Sequence, residues 1–320
     1  MPFQVTVQPS GHEFLVEGND TLLEAALRAG IPLNYSCSNG NCGDCKARLI
    51  SGQIGKLHSH DCALKDTEKA NGTFLLCSYT PASDVVIEAA VAGADDIPQQ
   101  DIIAKVKTVE PLNAGIAALH LTLPRSQRLR FLAGQQVSLA ADGAEGEFYI
   151  ASCPCEDRHV EVHVRRDQND FAGKVFDALG KEAPVRLTGP RGHFVMKLDS
   201  RRPVLFIAWE HGFAPIKSLI QHAMSLEIAE AMYLYWVADG VGHYQDNLCR
   251  AWADALDDFV YQPMPPAVDP AAVAESILAH HPDLVRADIY AAGPAAFLEA
   301  LRTGSLTRGM APQGWHEEIL

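Results

Sequence analysis

The feature that most constrains this sequence is a set of four cysteines, three of which lie in one short loop. Cys37, Cys42 and Cys45 follow the spacing C-x4-C-x2-C, and Cys77 follows much further along the chain. Four thiolates at this spacing can enclose a small metal group from one tight loop and one returning segment. This part of the chain is therefore predicted to fold around a metal centre.

The spacing is that of plant-type [2Fe-2S] sites, so these four cysteines are predicted to bind such a cluster. Gly40 and Gly43 lie among them, where they let the backbone bend close to the sulfurs and point its N–H groups at them. Structural zinc is the alternative, but zinc sites usually use paired C-x2-C units and this loop has only one. A cluster carries single electrons, which makes electron transfer the predicted activity of this segment.

The remaining cysteines are Cys62, Cys153, Cys155 and Cys249. One residue separates Cys153 from Cys155, and a disulfide over so short a loop is strained, so we expect packing or turn thiols there. His58, His60 and Cys62 resemble a metal triplet, yet they lie in the loop between cluster ligands, and we favour no second metal. The cysteines of a cytosolic chain are expected to be thiols or metal ligands.

Length, composition and charge narrow the function classes. The 320 residues allow two or three domains, and 48% hydrophobic with 21% charged residues is typical of globular protein. A net charge of −14 argues against nucleic acid as a partner. It favours either a basic protein partner or simply solubility. The sequence shows neither a signal peptide nor an apolar run long enough to span a membrane, so we expect a cytoplasmic protein.

The pattern of elements predicts three domains. Residues 1–92 read as a β-hairpin, a helix after Asp20 and Thr21, the cysteine loop and further strands. Residues 92–100 are small and polar, as in a linker. Residues 101–199 hold many short strands and one helix near 172–179, which favours an antiparallel barrel. Residues 200–320 alternate apolar strands with helices, which favours a doubly wound parallel sheet.

The whole chain resembles the reductase components of bacterial ring-hydroxylating dioxygenases and multicomponent monooxygenases. In that family a plant-type ferredoxin is fused to a flavoprotein of the ferredoxin–NADP reductase type. The resemblance implies a β-grasp ferredoxin, a β-barrel flavin domain and a nucleotide-binding α/β domain. It also implies [2Fe-2S], FAD and NADH or NADPH as cofactors and an oxygenase component as partner. Such a chain is an NAD(P)H-dependent iron–sulfur flavoprotein reductase.

Four segments carry the resemblance in the flavin domain, the last of them being Gly189-Pro190-Arg191-Gly192-His193-Phe194. In the family, the strand Arg-x-Tyr/Phe-Ser-Ile-Ala-Ser packs its aromatic on the flavin, bonds the flavin N5 through Ser or Thr and pairs its Arg with a phosphate. The matching positions here are Phe148, Tyr149, Ile150, Ala151 and Ser152 in that strand, His163, Val164 and Arg165 in a second strand, and Gly173, Lys174 and Val175 in the helix.

Two positions of the flavin strand depart from the family. Gly146 stands where the arginine belongs, so that charge-assisted bond to a phosphate is missing. Tyr149 stands where Ser or Thr belongs, and its bulk reaches toward the flavin site. Arg165 or Lys174 could supply the missing charge.

The nucleotide domain keeps Gly212 and Pro215 from the family's Gly-Gly-Thr-Gly-Ile-Ala-Pro turn, and Gly293 with Pro294 from its Cys-Gly-Pro turn. Asp239 follows a strand where a carboxylate favours a ribose hydroxyl, and hence NADH, although a solvated loop acid is an equal alternative. The departures in this domain are Trp209, Glu210 and Ala292, together with a chain end, HEEIL, that lacks the aromatic residue often found over the flavin.

Two functions remain open on the sequence alone. In the first, electrons pass from NAD(P)H through FAD to the cluster and on to an oxygenase or other acceptor. In the second, the changed contact residues have abolished the flavin and nucleotide sites. Only the ferredoxin is then redox active, and the C-terminal domains bind a partner protein or an altered ligand.

Overall fold

A computed structural model describes residues 2–35, 38–58, 63–125, 127–156, 158–198, 200–238, 240, 242–266 and 269–320 of the chain. The chain divides into two compact units, Met1–Pro98 and Gln99–Leu320. The cysteine motif belongs to the first unit. The second unit contains a barrel-type sheet followed by a parallel sheet.

The first unit is built on one mixed sheet. Its strands are β1 (Phe3–Gln8), β2 (His12–Val16), β3 (Lys46–Ser51), β4 (Ile54–Lys56), β5 (Thr73–Leu75), β6 (Tyr79–Pro81) and β7 (Val85–Glu88), and its helices are α1 (Leu22–Arg28) and α2 (Asp66–Ala70). Five strands pair in the order β2-β1-β7-β3-β5, with only β1 and β7 parallel, while β4 and β6 form a separate pair.

Helix α1 packs on this sheet because its sequence specifies both its start and its buried face. The Thr21 hydroxyl accepts a hydrogen bond from the Glu24 N–H at 3.1 Å, and the Glu24 carboxylate accepts one from the Thr21 N–H at 3.1 Å. This capping box satisfies two N–H groups that have no partner inside the helix. Leu22 and Leu23 are buried against the sheet core, which includes Val5.

The second unit begins with a six-stranded sheet. Its strands are β8 (Gln100–Pro111), β9 (Ile116–Thr122), β10 (Gln136–Ala141), β11 (Ala144–Tyr149), β12 (His159–Arg165) and β13 (Pro184–Arg191), and helix α3 spans Asp170–Asp177. They pair in the order β11-β10-β13-β8-β9-β12, and an antiparallel bridge from Ile150 to Val162 joins the two outer strands. The sheet therefore closes as a barrel, and α3 contributes Phe171 and Val175 to its core.

A parallel sheet follows. Its elements are β14 (Val204–Trp209), α4 (Phe213–Leu226), β15 (Met232–Val237), α5 (Asp246–Ala255), β16 (Phe259–Met264), α6 (Pro270–Leu278), β17 (Asp288–Gly293), α7 (Ala295–Thr307) and β18 (Trp315–Ile319). The strand order is β16-β15-β14-β17-β18. Helices α4 and α5 pack on one face of the sheet, and α6 and α7 pack on the other.

The predicted fold class is confirmed: a β-grasp ferredoxin, an antiparallel barrel and a doubly wound parallel sheet. The strand order reverses between β14 and β17, and the carboxyl ends of the strands at such a point form the usual ligand crevice of this architecture. Within the described part of the chain, no helix is long and apolar enough to cross a membrane.

Candidate functional site

The antiparallel pairing of β3 with β5 brings two of the predicted cluster ligands together. Lys46 pairs with Leu75, and the Leu76 N–H donates to the Cys45 carbonyl at 2.9 Å. Cys45 precedes β3 and Cys77 follows β5, so both thiols lie at the same end of the strand pair. Their Sγ atoms are 3.3 Å apart without a disulfide, and both residues are 2% exposed. Two thiols at this separation can bind one metal ion.

The surroundings of one of these thiols, Cys77, favour negative charge on its sulfur. The hydrogen bond from the Cys45 thiol lowers the pKa of Cys77, and burial opposes that change. Hydrogen bonds from the Ser78 hydroxyl and the Gly40 N–H lower the pKa further, to about 6. The hydrogen bond between the two thiols raises the pKa of Cys45. Around Cys42, the Asp44 N–H points at the Sγ from 3.5 Å. A thiolate is the form that binds iron.

Two glycines shape the loop as predicted. Gly40 and Gly43 have φ angles of 80° and 84°, which side chains with a Cβ rarely adopt. A Cβ on Gly43 would also lie 3.0 Å from the Cβ of Ala63. The turns therefore require glycine for the backbone to fold over the sulfurs.

The described thiols fit a cluster, although part of the predicted site lies outside the described residues. Cys42 is exposed and close enough for its charge to act on Cys45. Among the residues that the structure describes, no three His, Cys, Asp or Glu side chains are arranged to bind one metal ion. Cys37 is outside the described residues, as are His60 and Cys62 of the disfavoured second triplet.

Most of the predicted flavin-strand residues are buried inside the barrel. Phe148 is 1% exposed and its ring packs on Phe171, with centroids 5.5 Å apart. The Ser152 hydroxyl accepts from the Glu161 N–H at 3.1 Å. The other buried members of the predicted set are Ile150, Ala151, Val164 and Val175. These side chains stabilise the barrel and do not line an open cleft.

Asn169 occupies the space beside Gly146, the position where the family has its arginine. Asn169 caps α3, its Oδ1 accepting from the Ala172 N–H at 2.9 Å. A Cβ placed on Gly146 would lie 2.4 Å from the Asn169 Nδ2. On α3, a Cβ on Gly173 would meet no atom within 4 Å, and the Lys174 ammonium donates to the Asp142 carbonyl. Glycine at 146 is thus required by the packing of Asn169.

A cavity of about 180 Å³ remains between the barrel and the parallel sheet. Three predicted flavin-site residues, Tyr149, His163 and Arg165, come together there. The Tyr149 hydroxyl donates to the Glu318 Oε1 at 2.5 Å, across the edge of the cavity. The complete lining is Ile116, Tyr149, His163, Arg165, Gln168, His211, Ala214, Ile319 and Leu320.

Some of these lining residues were not predicted from the sequence. His211 lies in the turn between β14 and α4, so its proximity to the turn glycine Gly212 was the available signal. Ile319 and Leu320 reach the cavity because β18 pairs in parallel with β17. Nothing in their own sequence indicates that placement.

Beside the cavity lies a buried network of charged groups. The Lys217 ammonium donates to the Glu161 Oε2 at 2.7 Å and to the Ala151 carbonyl at 3.2 Å. His163 Nε2 donates to the Glu161 Oε1 at 2.9 Å, because a carboxylate can only accept, and the Tyr244 hydroxyl lies 3.1 Å from Nδ1. These contacts join β12 to α4 and to the loop after β15.

The network holds defined charge states. Burial alone would raise the pKa of Glu161, but His163 and Lys217 outweigh it, and the pKa lies well below its ordinary value. Burial lowers the pKa of His163, despite the nearby carboxylate. Glu161 is therefore ionised and His163 neutral at physiological pH, which presents a polar but uncharged imidazole to the cavity.

In the crevice between β14 and β17, Trp209 occupies the space next to the strand ends. A Cβ on Gly293 would lie 2.8 Å from the Trp209 Cβ, and the indole is 4.8 Å from the Phe297 ring. A Cβ on Gly212 would lie 2.6 Å from the Ala292 carbonyl oxygen, so this glycine allows the turn to approach β17.

The remaining predicted nucleotide-site residues lie near this crevice or outside the described residues. Pro215 is buried in the first turn of α4, and Pro294 precedes α7. Glu210 turns its backbone so that its carbonyl accepts from the Trp236 indole N–H at 2.9 Å. Asp239 lies outside the described residues.

One expectation about cysteines was wrong. Cys153 and Cys155 form a disulfide, whereas two thiols were predicted on the ground of strain over a single intervening residue. The backbone accommodates the bond, with the two Cα atoms 5.2 Å apart, inside the usual range.

Comparison with known proteins identifies the first unit and the whole chain. Residues 5–82 match the family model of the 2Fe-2S iron-sulfur cluster binding domain. The CDP-6-deoxy-L-threo-D-glycero-4-hexulose-3-dehydrase reductase of Yersinia pestis is 30% identical over 319 residues, covering 97% of this chain and 96% of that protein. Reductase component 2 of terephthalate 1,2-dioxygenase from Comamonas sp is 27% identical and covers 100% of this chain and 97% of its own.

Solved structures agree on the architecture. A cytochrome P450 reductase from Amycolatopsis superposes with a TM-score of 0.61 at 27% identity, covering 99% of this chain and 98% of its own. Phthalate dioxygenase reductase, at 19% identity and a TM-score of 0.55, covers 71% of this chain and 70% of its own and shares the fold. The chain therefore belongs to the family of electron-transfer reductases that join a plant-type [2Fe-2S] ferredoxin domain to a ferredoxin–NADP reductase-type flavoprotein and carry electrons from NAD(P)H through FAD to the cluster.

Proposed function

We propose that this chain is the electron-supplying component of a multi-protein redox system, with Cys37, Cys42, Cys45 and Cys77 holding its [2Fe-2S] cluster. The observation that carries the proposal is the pair Cys45 and Cys77, whose sulfurs lie 3.3 Å apart at the end of β3 and β5. The lowered pKa of Cys77 adds support, since a thiolate is poised there for iron.

The flavin step uses the cavity lined by Tyr149, His163 and Arg165. A bound flavin takes up the two electrons of a hydride and releases them one at a time, which the cluster alone cannot do. Around that position, Arg165 brings positive charge and the neutral His163 brings a polar ring. Tyr149 closes one edge through its bond to Glu318. In this proposal residues 101–199 form the flavin domain and residues 200–320 the nucleotide domain.

We propose an oxygenase component or another redox enzyme as the electron acceptor. Two relatives are reductase components of terephthalate 1,2-dioxygenase and propane 2-monooxygenase, and another is the reductase of a sugar-nucleotide dehydrase. The net charge of −14 favours a basic docking face on that acceptor. We place the protein in the cytoplasm, since a reducing compartment keeps the cluster cysteines as thiols.

A second candidate function has specific observations in its favour. Asn169 fills the position next to Gly146, and Trp209 fills the crevice between β14 and β17. Both places are where the related reductases hold phosphates of their cofactors. In this candidate only the ferredoxin domain is redox active, and the second unit binds a partner protein or a changed ligand.

Absorbance spectroscopy with flavin quantification separates the two. The first function predicts cluster and flavin bands in the purified full chain, and bleaching of both by NADH or NADPH. Cys77→Ser is expected to lose the cluster bands, whereas Cys249→Ala, which changes a buried thiol of the second unit, is expected to keep them. A chain with an intact cluster that neither nucleotide bleaches, even with added FAD, rejects the first function in favour of the second.

A further inference from the structure

We propose that the cavity beside Tyr149 binds the isoalloxazine ring of a flavin without recognising its phosphate tail, so that riboflavin, FMN and FAD bind with similar affinity. The inference rests on the flavin step of the proposed function. It differs from that function because it concerns which part of the cofactor this chain can hold.

The lining of the cavity suits a ring system, and its size excludes a whole dinucleotide. Pockets that bury drug-sized ligands measure roughly 300–1,000 Å³, whereas this cavity measures about 180 Å³. A dinucleotide therefore cannot be buried in it as a whole. Ile116 and Ala214 supply apolar surface, and Arg165 with Gln168 supplies polar groups. Apolar surface with a few polar groups is what a planar, partly polar ring requires.

The adjoining position for a phosphate is closed. Asn169 lies against Gly146 and is held there by its bond to the Ala172 N–H at 2.9 Å. Phe148, on the same strand, is buried against Phe171. A phosphate could enter beside Gly146 only if Asn169, and with it the cap of α3, moved.

The electrostatics of the same region also disfavour a phosphate. A helix N-terminus ordinarily attracts anions, but α3 begins with Asn169 as its cap and Asp170 in its first turn. Lys174 donates to the Asp142 carbonyl. Arg191 pairs with Glu147 at 2.7 Å. An incoming phosphate would therefore meet carboxylates and cations that already have partners.

Arg165 is the residue on which the two modes of binding differ. It lines the cavity, and its Nε lies 2.8 Å from the Asp167 Oδ1. If it serves the ring, its loss weakens all three flavins alike. If it replaces the family's arginine at a phosphate, its loss weakens FAD and FMN and leaves riboflavin unchanged.

The test is a titration of the purified full-length protein, freed of flavin, with riboflavin, FMN and FAD, followed by quenching of flavin fluorescence. We expect dissociation constants that agree within about threefold. A larger preference for FAD over riboflavin would overturn the inference while leaving the proposed function intact. Binding of none of the three would overturn both the inference and the flavin step, and would leave the second candidate function.

Two variants sharpen the result. Arg165→Gln is expected to weaken all three flavins by a similar factor, and a loss confined to the phosphorylated flavins contradicts the inference. Gly146→Arg combined with Asn169→Gly opens the phosphate position and adds a cation. It is expected to tighten FAD about tenfold or more relative to riboflavin. An unchanged preference in a folded double variant would contradict the inference, because the closed position beside Gly146 is its basis.

Discussion

At the scale of single residues, Tyr149 is a bulky side chain at a cavity position where the family has Ser or Thr. Related reductases have a small hydroxyl residue at this position, whereas here a phenol donates to the Glu318 carboxylate at 2.5 Å. Burial, and then the neighbouring carboxylate, raises the pKa of Tyr149. The phenol is therefore a donor throughout the physiological pH range, and the bond ties the end of β11 to β18.

We expect Tyr149→Phe to lower the free energy of unfolding of the second unit by about 1–2 kcal/mol, because a hydrogen bond to a charged group is lost at a partly buried site. Urea denaturation followed by tryptophan fluorescence measures the change. Glu318→Gln serves as the control, since its amide oxygen still accepts, and its effect is expected to be smaller. Equal stability of Tyr149→Phe and the unaltered protein would show that the bond does not hold the two strands.

Residue positions could be predicted only where a local pattern exists. The cysteine spacing and the glycines identified the cluster loop, and matching one strand to a family motif located Tyr149. Glu318 could not be predicted as its partner, because the two residues are brought together by strands distant in the sequence. The close approach of Asn169 to Gly146 depends on the docking of α3, which no local pattern encodes.

At the scale of elements, α4 is held to the barrel by buried polar contacts. Lys217 binds the Glu161 carboxylate and the Ala151 carbonyl, and the Ser218 hydroxyl donates to the Ser152 carbonyl at 2.7 Å. Lys217 is 4% exposed and Glu161 13% exposed. Charges so shielded from water are costly unless they remain paired.

We expect Lys217→Met to destabilise the second unit by about 3–5 kcal/mol, because it leaves the Glu161 carboxylate buried without its cation. The double variant Lys217→Met with Glu161→Gln is expected to recover most of this loss. Thermal and urea unfolding of the three proteins measure both effects. Additive losses in the double variant would contradict a coupled pair.

The same network predicts a pH dependence. The folded pKa of Glu161 lies below its ordinary 4.5, so its stabilisation is complete above that pH and is lost progressively as the pH falls from 4.5 toward the lower folded pKa. The folded pKa of His163 lies below 6.5, so the unfolded chain takes up protons first and stability begins to fall below that pH. The double variant is expected to keep the His163 part of the acid loss and to lack the Glu161 part, which begins near pH 4.5, as measured by urea unfolding from pH 7 down to about pH 3. The same loss near pH 4.5 in both proteins would contradict this assignment.

Elements with clear local signals were predicted well, and edge strands were not. The helix at Asp246–Ala255 and the apolar strand Val204–Trp209 follow directly from periodicity and apolar runs. Strand β18 contains two glutamates and a histidine, which have low strand propensity, and it exists because β17 offers a parallel edge. Strand β16 includes Pro263, which is tolerated only because β16 is an edge strand.

At the scale of the whole molecule, the boundary between the two compact units follows Pro98. The first unit has its own five-stranded sheet, its own helix packed on it and the described cluster thiols. Everything that its fold and its metal require is thus encoded before residue 99. Independent stability requires three or more strands with an apolar face, or packing against a helix, and the first unit has both.

We therefore expect residues 1–98, expressed alone, to fold cooperatively and to take up a cluster with the absorbance of the full chain's cluster. Absorbance and circular dichroism of the fragment, with its Cys77→Ser form as the control, provide the measurement. A fragment that stays unfolded after cluster reconstitution would show that the first unit depends on the second.

Three hydrogen bonds hold α4 to the end of the barrel, and they limit how far the cavity can open. Lys217 and Ser218 fasten the helix to consecutive backbone carbonyls, at Ala151 and Ser152. A hinge between the barrel and the parallel sheet would have to break all of them at once, so we expect the two sheets to move together. We then expect exchange of a ligand to depend on the side chains of Tyr149 and Glu318 at the rim, on the timescale of local rearrangement and not of domain opening.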